Sequence, residues 1–222
     1  MLEAWEFIVR RPELLAEWVV AHLWIIFVAI TIAVILGVIL GIYITGKGKE
    51  QIADTVLYLA EIMMTVPSLA LFGLLMLLLG SIGLKAIGFL PAVIALIVYG
   101  QLPILRNTYT AIQAVDPAMI EAGKGMGMNE KQILFKIKLP LAVPVIMAGL
   151  RNAIVLIIGI AAIAALIGAG GLGSPIFRGL RNARMDLIII GGVSVSILAL
   201  IVDSLMALVE RRVTPKGLKV KQ

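Results

Sequence analysis

Residues 18–46 read WVVAHLWIIFVAITIAVILGVILGIYITG, and no Asp, Glu, Lys or Arg occurs among them. A membrane-spanning helix needs about 20 mostly apolar residues, so this stretch is long enough to cross a bilayer. A cleaved signal peptide has an apolar region of only about 7–15 residues, and it ends in a cleavage site with small residues that this run lacks. We therefore expect residues 20–45 to form a transmembrane helix that is retained.

The composition of the whole chain agrees with a membrane protein. Of the 222 residues 61% are hydrophobic and 14% are charged, whereas soluble domains have about 45–50% and about 25%. A small soluble fold could not cover so much apolar surface, which excludes a soluble enzyme, a nucleic-acid-binding protein and a disordered tail. The chain has no Cys and one His, His22, which excludes disulfides and a metal site built from these residues.

Four further stretches are apolar enough to cross a membrane, and each contains no more than one Asp, Glu, Lys or Arg. They are residues 56–80, 88–106, 141–167 and 187–209. The sequence therefore predicts an all-α integral membrane protein with five transmembrane helices, which together form a transmembrane domain over residues 20–209. In the first helix Gly37-x-x-x-Gly41 permits close helix packing, either within this chain or against another subunit.

Five spans place the two termini on opposite sides of the membrane. If the C-terminus is cytoplasmic, twelve Lys and Arg residues lie on the inner side and six on the outer side. Because positive residues are enriched in cytoplasmic loops, we expect the N-terminus outside and the C-terminus inside. Residues 1–19 are then an extracytoplasmic amphipathic segment, and residues 210–222 are a basic cytoplasmic tail.

The one long polar connection, residues 107–140, falls on the predicted cytoplasmic side and is expected to contain two short helices. Asp116 caps the first and Pro117 fits its first turn. Three glycines, at positions 123, 125 and 127, weaken the continuation of that helix. Asn129 with Gln132 forms a second capping signal. An apolar stripe of Ile133, Leu134 and Ile137 follows, and we expect Pro140 to end this second helix before the fourth span.

An amphipathic helical hairpin of this kind can lie on the lipid interface or insert into a groove of a soluble partner. The two uses are about equally compatible with the composition. The carboxylate of Glu121 is poorly placed against an anionic membrane surface. It slightly favours insertion into a soluble partner over contact with lipid.

The same segment carries a recognisable pattern. Glu121-Ala122-Gly123, then Gly127, then Ile137-Lys138-Leu139-Pro140 resembles the EAA signature of permease subunits of bacterial ABC importers: Glu-Ala-Ala, three residues, Gly, nine residues, Ile-x-Leu-Pro. The spacing matches throughout. The departure is Gly123, where the family usually has Ala, and a second small residue there should still permit close packing.

Three further stretches resemble the branch of that family that imports osmoprotectants such as glycine betaine, choline and carnitine. They are Thr65-Val66-Pro67-Ser68-Leu69-Ala70, residues 102–109 (LPILRNTY) and residues 167–173 (IGAGGLG). Methionine-importer permeases share the five-span plan and a similar glycine-rich stretch. The resemblance therefore favours an osmoprotectant permease. The alternative is a permease for methionine or another amino acid.

The resemblance implies the fold of a type I, methionine-permease-like importer in the bacterial inner membrane. It implies a second permease subunit, two ATP-binding subunits that hold ATP and Mg, and an extracellular solute-binding protein. The chain itself would bind no cofactor and catalyse no reaction. The contact with the ATP-binding subunits would be made by Glu121, Ala122, Gly123, Gly127, Ile137, Leu139 and Pro140. The rival classes are an ion-driven secondary carrier and a membrane scaffold that transports nothing.

Two further groups are candidate residues of the pathway or its gate. Pro67 lies within the second span and should kink it, with Thr65 and Ser68 able to satisfy freed carbonyls; a simple packing kink is the equally weighted alternative. The glycines at 168, 170 and 173 fit a dinucleotide-binding pattern, but a long apolar helix precedes them instead of a strand. We expect Gly168, Gly170, Gly171 and Gly173 to let the backbone turn and pack tightly near the outer mouth.

Charged residues within or near the spans allow two interpretations each. Arg151 and Asp203 lie inside predicted spans, where charges are costly, and they serve either a structural role, in reach of each other or the inner interface, or a role in cation passage. Arg178, Arg181 and Arg184 recur at three-residue spacing. They either share one face of a short outer helix that docks an acidic binding protein, or belong to a solvated loop.

Overall fold

The computed structural model describes residues 2–214, and side chains from residue 6 onward, so most of the predicted basic tail lies outside the described residues. The regular structure of this part of the chain is entirely helical. The helices are α1 (Leu2–Arg10), α2 (Pro12–Ile44), α3 (Glu50–Thr65), α4 (Ser68–Ser81), α5 (Phe89–Gln113), α6 (Pro117–Gly125), α7 (Glu130–Ile133), α8 (Leu139–Ile163), α9 (Gly173–Arg181) and α10 (Met185–Val213).

Among the described residues, four helices are long and apolar enough to cross a membrane by themselves, and the bent pair α3–α4 supplies a fifth span if it counts as one. The four are α2, α5, the helix over residues 130–167 and α10. The bent pair covers the predicted span 56–80. The prediction of an all-helical membrane protein is confirmed, and the five predicted spans agree with this count if the bent pair crosses the membrane as one span.

The second span is broken, not merely kinked as we expected. The axes of α3 and α4 meet at 103°. Pro67 has no backbone N–H to donate, and its ring disfavours helical geometry in the residue before it. Val66 accordingly has an extended conformation, with φ −66° and ψ 125°, and the chain leaves α3 and starts α4 in a new direction.

The centre of the bundle consists of α2, α5 and α8. The buried residues of this core include Ile25 and Ala33 on α2, Leu96 on α5 and Ile157 on α8. The two glycines of the Gly37-x-x-x-Gly41 pattern face α5: a Cβ at Gly37 would lie 2.6 Å from Ile104 Cγ2, and one at Gly41 would lie 2.7 Å from Thr108 Cβ. The close packing that this pattern predicts is therefore made within the chain.

Large apolar side chains cover the outside of the bundle. Phe27 on α2 is 62% exposed, Leu77 on α4 is 73% exposed and Leu200 on α10 is 68% exposed. Water would not stabilise such a surface, whereas lipid tails or another apolar subunit would. The outside of the bundle thus has the character of a membrane-embedded protein.

Pro140 does not end a helix, in contrast to our expectation. The chain continues from α7 through a π-helical segment, Leu134–Lys138, into α8, and the whole helical run covers residues 130–167. Within the π segment the N–H of Leu139 donates to Leu134 O, five residues back. Because this wider turn has already shifted the hydrogen-bond register, the missing N–H of Pro140 falls in the first turn of α8, where proline is tolerated.

Candidate functional site

The hairpin formed by α6 and α7, residues 117–133, has caps that hold each of its helices. The Asp116 side chain accepts a hydrogen bond of 2.8 Å from the N–H of Ala118, and Pro117 lies in the first turn of α6. Asn129 and Gln132 form a capping box, with two reciprocal bonds of 2.9 Å between side chain and backbone. Gly127 makes the turn between the helices with φ +77°. Both predicted caps are confirmed; of the three glycines expected to weaken α6, Gly123 and Gly125 still lie inside it, and the helix ends at Gly125.

The apolar stripe of the hairpin packs inward. Ile133 is only 2% exposed. A Cβ added at Gly123 would lie 2.7 Å from Ile137 Cδ1 and 3.4 Å from Met128 Sδ. Two residues of the stripe therefore pack on α6 and hold the hairpin together, and they are not available to cover a lipid surface.

The residues of the signature divide into an exposed group and an inner group. Glu121, Ala122 and Gly127 are exposed, Gly123 is buried, and the other three are half-buried: Ile137, Leu139 and Pro140. Beside the exposed group the hairpin presents Met119 and Met126, and Phe135 of the π segment is also exposed. The hairpin thus presents the Glu121 carboxylate beside flexible apolar side chains, a surface suited to fitting into a groove of another protein.

An ion pair connects the hairpin to the loop after α2. Lys47 donates from Nζ to Glu130, the first residue of α7. The side chains of both residues are largely exposed, and such pairs add little stability. The pair therefore connects the hairpin to the end of α2 but contributes little to the stability of that contact.

The break between α3 and α4 is supported by α5. Thr65 Oγ1 donates to Ile62 O at 2.7 Å, as the sequence suggested for a freed carbonyl. The hydroxyl of the buried Tyr99 donates to Val66 O, inside the break itself. Arg106 of α5 pairs with Glu61 of α3. Tyr99 was missed in the sequence analysis, because no local pattern connects it to a carbonyl 33 residues away.

The glycine run contains left-handed turns and one very close contact. Gly168, Gly170 and Gly171 have φ near +80°. A Cβ at Gly173 would lie 1.8 Å from the carbonyl oxygen of Ala162. These glycines turn the backbone and allow tight packing, as predicted, and with no strand among the described residues they do not form a dinucleotide fold.

His22 lies directly beneath this run and was also missed in the sequence analysis. It is fully buried, and its Nε2 lies 3.3 Å from Ile158 O. A Cβ at Gly171 would lie 2.8 Å from His22 Nδ1. A lone His in an apolar run does not predict this contact, because its partners Ile158 and Gly171 lie more than a hundred residues further along the chain.

The two groups of candidate gate residues converge on one apolar cluster. It joins Leu71 and Phe72 of α4, just after the break, to Tyr99 of α5 and to Ile167, just before Gly168. The amide of Gly88 also donates to Ile167 O at 2.8 Å. The break and the glycine run are therefore packed together through α5.

Arg151 and Asp203 do reach each other. Arg151 Nε and Nη2 donate to the two Asp203 carboxylate oxygens, both at 2.9 Å, and Nη1 donates to Glu210 Oε2 at 3.0 Å. Glu210 was missed, although it follows Asp203 by two helical turns, so their spacing places them on the same face of α10.

Arg178, Arg181 and Arg184 do not share one helix face, so the structure does not support that one of the two interpretations. Arg178 and Arg181 lie in the last turn of α9, which ends at Arg181. Arg184 lies beyond it, immediately before α10, and pairs with Asp186 there. Its guanidinium also faces the Phe7 ring at 5.9 Å. The three-residue spacing is compatible with one helix, but it contains no signal for the turn at residues 182–183 that ends α9 before Arg184.

These observations define a multi-pass, all-helical membrane protein with a capped hairpin between two of its spans. Residues 33–215 match the family described as binding-protein-dependent transport system inner membrane component, and the chain belongs to this family. It is therefore a permease subunit of a transport system and not an enzyme, as the resemblance implied; in such systems ATP hydrolysis belongs to separate subunits.

Named relatives resemble the chain over nearly its whole length. The osmoprotectant import permease protein OsmW of Salmonella typhimurium is 42% identical over 92% of this chain and 94% of the relative. The glycine betaine/carnitine/choline transport system permease protein OpuCB of Bacillus subtilis is 43% identical over 89% of this chain and 88% of the relative.

Solved structures confirm the fold. A chain of the inward-facing MetNI methionine ABC transporter superposes with a TM-score of 0.79 at 24% identity, over 93% of this chain and 99% of that one. A chain of an amino acid ABC transporter with histidines gives 0.77 at 24% identity, over 92% and 96%. The likeness shows the methionine-permease-like fold of a type I importer, as predicted.

Proposed function

We propose that this chain is the permease subunit of an ATP-driven importer for osmoprotectants of the quaternary-amine class, such as glycine betaine, choline and carnitine. The observation that carries the proposal is the likeness to permeases named for these solutes, at 42% and 43% identity over about nine tenths of the chain. The structures named for methionine and amino acids are only 24% identical. They support the fold, so the amino-acid alternative becomes an outcome of the test below.

The complete importer, in this proposal, contains a second permease subunit, two ATP-binding subunits and an extracellular solute-binding protein. ATP and Mg bind to the ATP-binding subunits, and this chain binds neither. The chain lies in the bacterial cell membrane with its N-terminus outside and its C-terminus inside. The distribution of Lys and Arg supports this orientation, since it places the hairpin on the side where ATP is available.

The hairpin is the contact with an ATP-binding subunit in this mechanism. Glu121 and Ala122, with the neighbouring Met119 and Met126, enter a groove on that subunit, while Gly123 and Ile137 keep the hairpin rigid. ATP binding changes the groove and thereby favours one conformation of the permease pair over the other. This requires the ATP-binding subunits to have a different affinity for the two conformations.

The test uses the assembled importer, reconstituted in vesicles with its binding protein outside and ATP inside. We expect uptake of at least one of labelled glycine betaine, choline and carnitine, and ATP hydrolysis that rises when that solute is added. Uptake of methionine or proline alone would refute the substrate class. Uptake by the purified chain under an ion gradient, without ATP, would favour a secondary carrier, and ATPase binding without solute flux would favour a scaffold.

A pair of variants tests the hairpin. Gly127 and Gly48 both have positive φ, +77° and +73°, and a Cβ at either position meets nothing within 4 Å. Gly127→Asp adds a charge and strain in the hairpin, so we expect ATP hydrolysis to continue without uptake. Gly48→Asp makes the same change in the loop after α2 and should transport normally. Normal uptake by Gly127→Asp would refute the assignment of the hairpin.

A further inference from the structure

The ion cluster of Arg151, Asp203 and Glu210 joins α8 to α10. Of these two helices, α8 is continuous with the hairpin. Arg151 is the one charged residue of α8, whereas both carboxylates belong to α10. The three side chains are 26–35% exposed, so the cluster is neither in bulk water nor fully buried. The bidentate Arg–carboxylate geometry fixes the orientation as well as the distance of the two groups.

The second observation concerns the packing of α10. Its buried residues are confined to its first part: Asp186, Leu187, Ile190 and Gly191. After Gly191 the described residues of α10 are half-buried or exposed, and those that contact the central core, such as Val202 and Met206, are only partly buried. The ion cluster is thus a polar attachment of the part of α10 where apolar packing is weakest.

The third observation is that α8 is continuous with the hairpin. A single helical run joins α7, the π segment and α8. Arg151 follows Lys138, the end of the π segment, by 13 residues, which is roughly 20 Å along a helix. Any movement of the hairpin that tilts this run therefore moves Arg151.

Stability alone does not explain an ion cluster here. Replacing a partly desolvated ion pair by apolar residues of similar size often leaves a protein as stable or makes it more stable. Non-directional apolar packing does not fix the register between two helices as a bidentate ion pair does. The bidentate bond to Asp203 and the second bond to Glu210, two turns further along, provide that register.

We propose that Arg151 is a positioning residue for transport: its ion pairs make the part of α10 after residue 191 move with α8, and thereby with the hairpin. The inference rests on the proposed function, because it assumes that ATP-binding subunits move the hairpin. It assigns to Arg151 the transmission of movement, in place of the alternative role in cation passage.

The principal test measures ATP hydrolysed per solute imported in the reconstituted complex. For Arg151→Gln we expect this ratio to rise about tenfold, the scale of a typical coupling free energy between two sites, with the KM for the solute unchanged. The exchanged pair Arg151→Asp with Asp203→Arg should bring the ratio back toward that of the unmodified protein. An increased KM with an unchanged ratio would mean a pathway residue and would overturn the inference, and so would an unchanged ratio and KM.

A second measurement does not depend on how well these variants fold. The chain has no cysteine, so spin labels can be placed at exposed Val145 on α8 and exposed Leu205 on α10. We expect the distance between these labels to stay constant when ATP is added to the otherwise unmodified importer, while a label at Met126 moves relative to the solute-binding protein. A change between the α8 and α10 labels would overturn the inference.

The two proposals fail in different ways. The unmodified complex and Gly127→Asp are assayed beside the Arg151 variants. If Gly127→Asp imported solute as well as the unmodified complex does, the proposed role of the hairpin would be refuted. A normal ratio for Arg151→Gln, with Gly127→Asp still uncoupled, would refute only the role of Arg151.

Discussion

The contact between Gly173 and Ala162 makes a sharp prediction about the glycine run. A Cβ at Gly173 would lie 1.8 Å from Ala162 O, 2.7 Å from its carbonyl carbon and 2.9 Å from its Cα. All three are backbone atoms, so no side-chain rotation can relieve the clash. Ordinary van der Waals contact begins at 3.4 Å, and Gly173→Ala therefore requires the start of α9 to move away from α8.

The expected cost of Gly173→Ala follows from that displacement. Extra methyl groups in well-packed sites typically cost about 1–3 kcal/mol. Because backbone lies on both sides of this contact, we place Gly173→Ala at the upper end, about 3 kcal/mol or more. The movement would also disturb the neighbouring left-handed turns, so solute uptake should fall along with stability.

Substitutions at two other glycines, Gly170 and Gly159, distinguish the cost of a steric clash from the cost of an unfavourable backbone conformation. Gly170 has φ +80° and a Cβ there meets nothing within 4 Å, so Gly170→Ala should cost only the left-handed penalty, about 1–2 kcal/mol. Gly159 lies inside α8 with open space around it. Gly159→Ala should stabilise the protein by about 0.5–1 kcal/mol, because alanine is the better helix former.

The measurement is unfolding of the purified chain in mixed detergent, with increasing SDS and far-UV circular dichroism as the readout. The predicted order of stability is Gly159→Ala above the unmodified chain, then Gly170→Ala, then Gly173→Ala. If Gly173→Ala proved no less stable than Gly170→Ala, the close approach of α9 to the end of α8 would be refuted.

Three further substitutions probe other contacts. Tyr99→Phe leaves Val66 O without its buried donor and should cost about 1–3 kcal/mol in the same unfolding assay; an unchanged stability would mean that the bond is not made. Gly123→Ala presses only on the flexible end of a neighbouring isoleucine, so uptake should persist, and its abolition would contradict the packing of the hairpin. Gly149→Ala meets backbone of α5 at 2.7 Å and should destabilise the protein, in contrast to Gly159→Ala; equal stability of the two would refute the close α5–α8 contact.

The parts of the fold that were predicted correctly depend on short-range physics. Long apolar runs with at most one charged residue located the spans, because a helix in lipid needs about 20 mostly apolar residues. The caps at Asp116 and Asn129 were also predictable, since each involves bonds to residues two or three positions away. The amino-acid sequence alone is therefore sufficient to predict where both helices of the hairpin begin.

Prolines show where sequence reasoning failed. Pro67 breaks a helix, Pro140 lies in a continuous one, and Pro103 and Pro144 lie inside α5 and α8. The residue type is the same, and the outcome depends on how the freed carbonyls are satisfied. At Pro67 a distant tyrosine helps to stabilise the break, whereas near Pro140 a π segment shifts the hydrogen bonds. Neither the tyrosine nor the π segment can be recognised from the sequence next to the proline.

The continuous helix over residues 130–167 relates the hairpin to the glycine run. At 1.5 Å per residue its 38 residues extend roughly 57 Å, with the hairpin at one end and Gly168 immediately after the other. Hydrogen bonds along a helix resist compression, so force on the hairpin tilts the run. In the proposed cycle this tilt is transmitted where the helix is held tightly, through the ion pairs of Arg151 to α10 and through the Gly173–Ala162 contact to α9. The proposed transport cycle therefore requires both attachments, and it predicts that loosening either one separates ATP hydrolysis from the outer end of the permease.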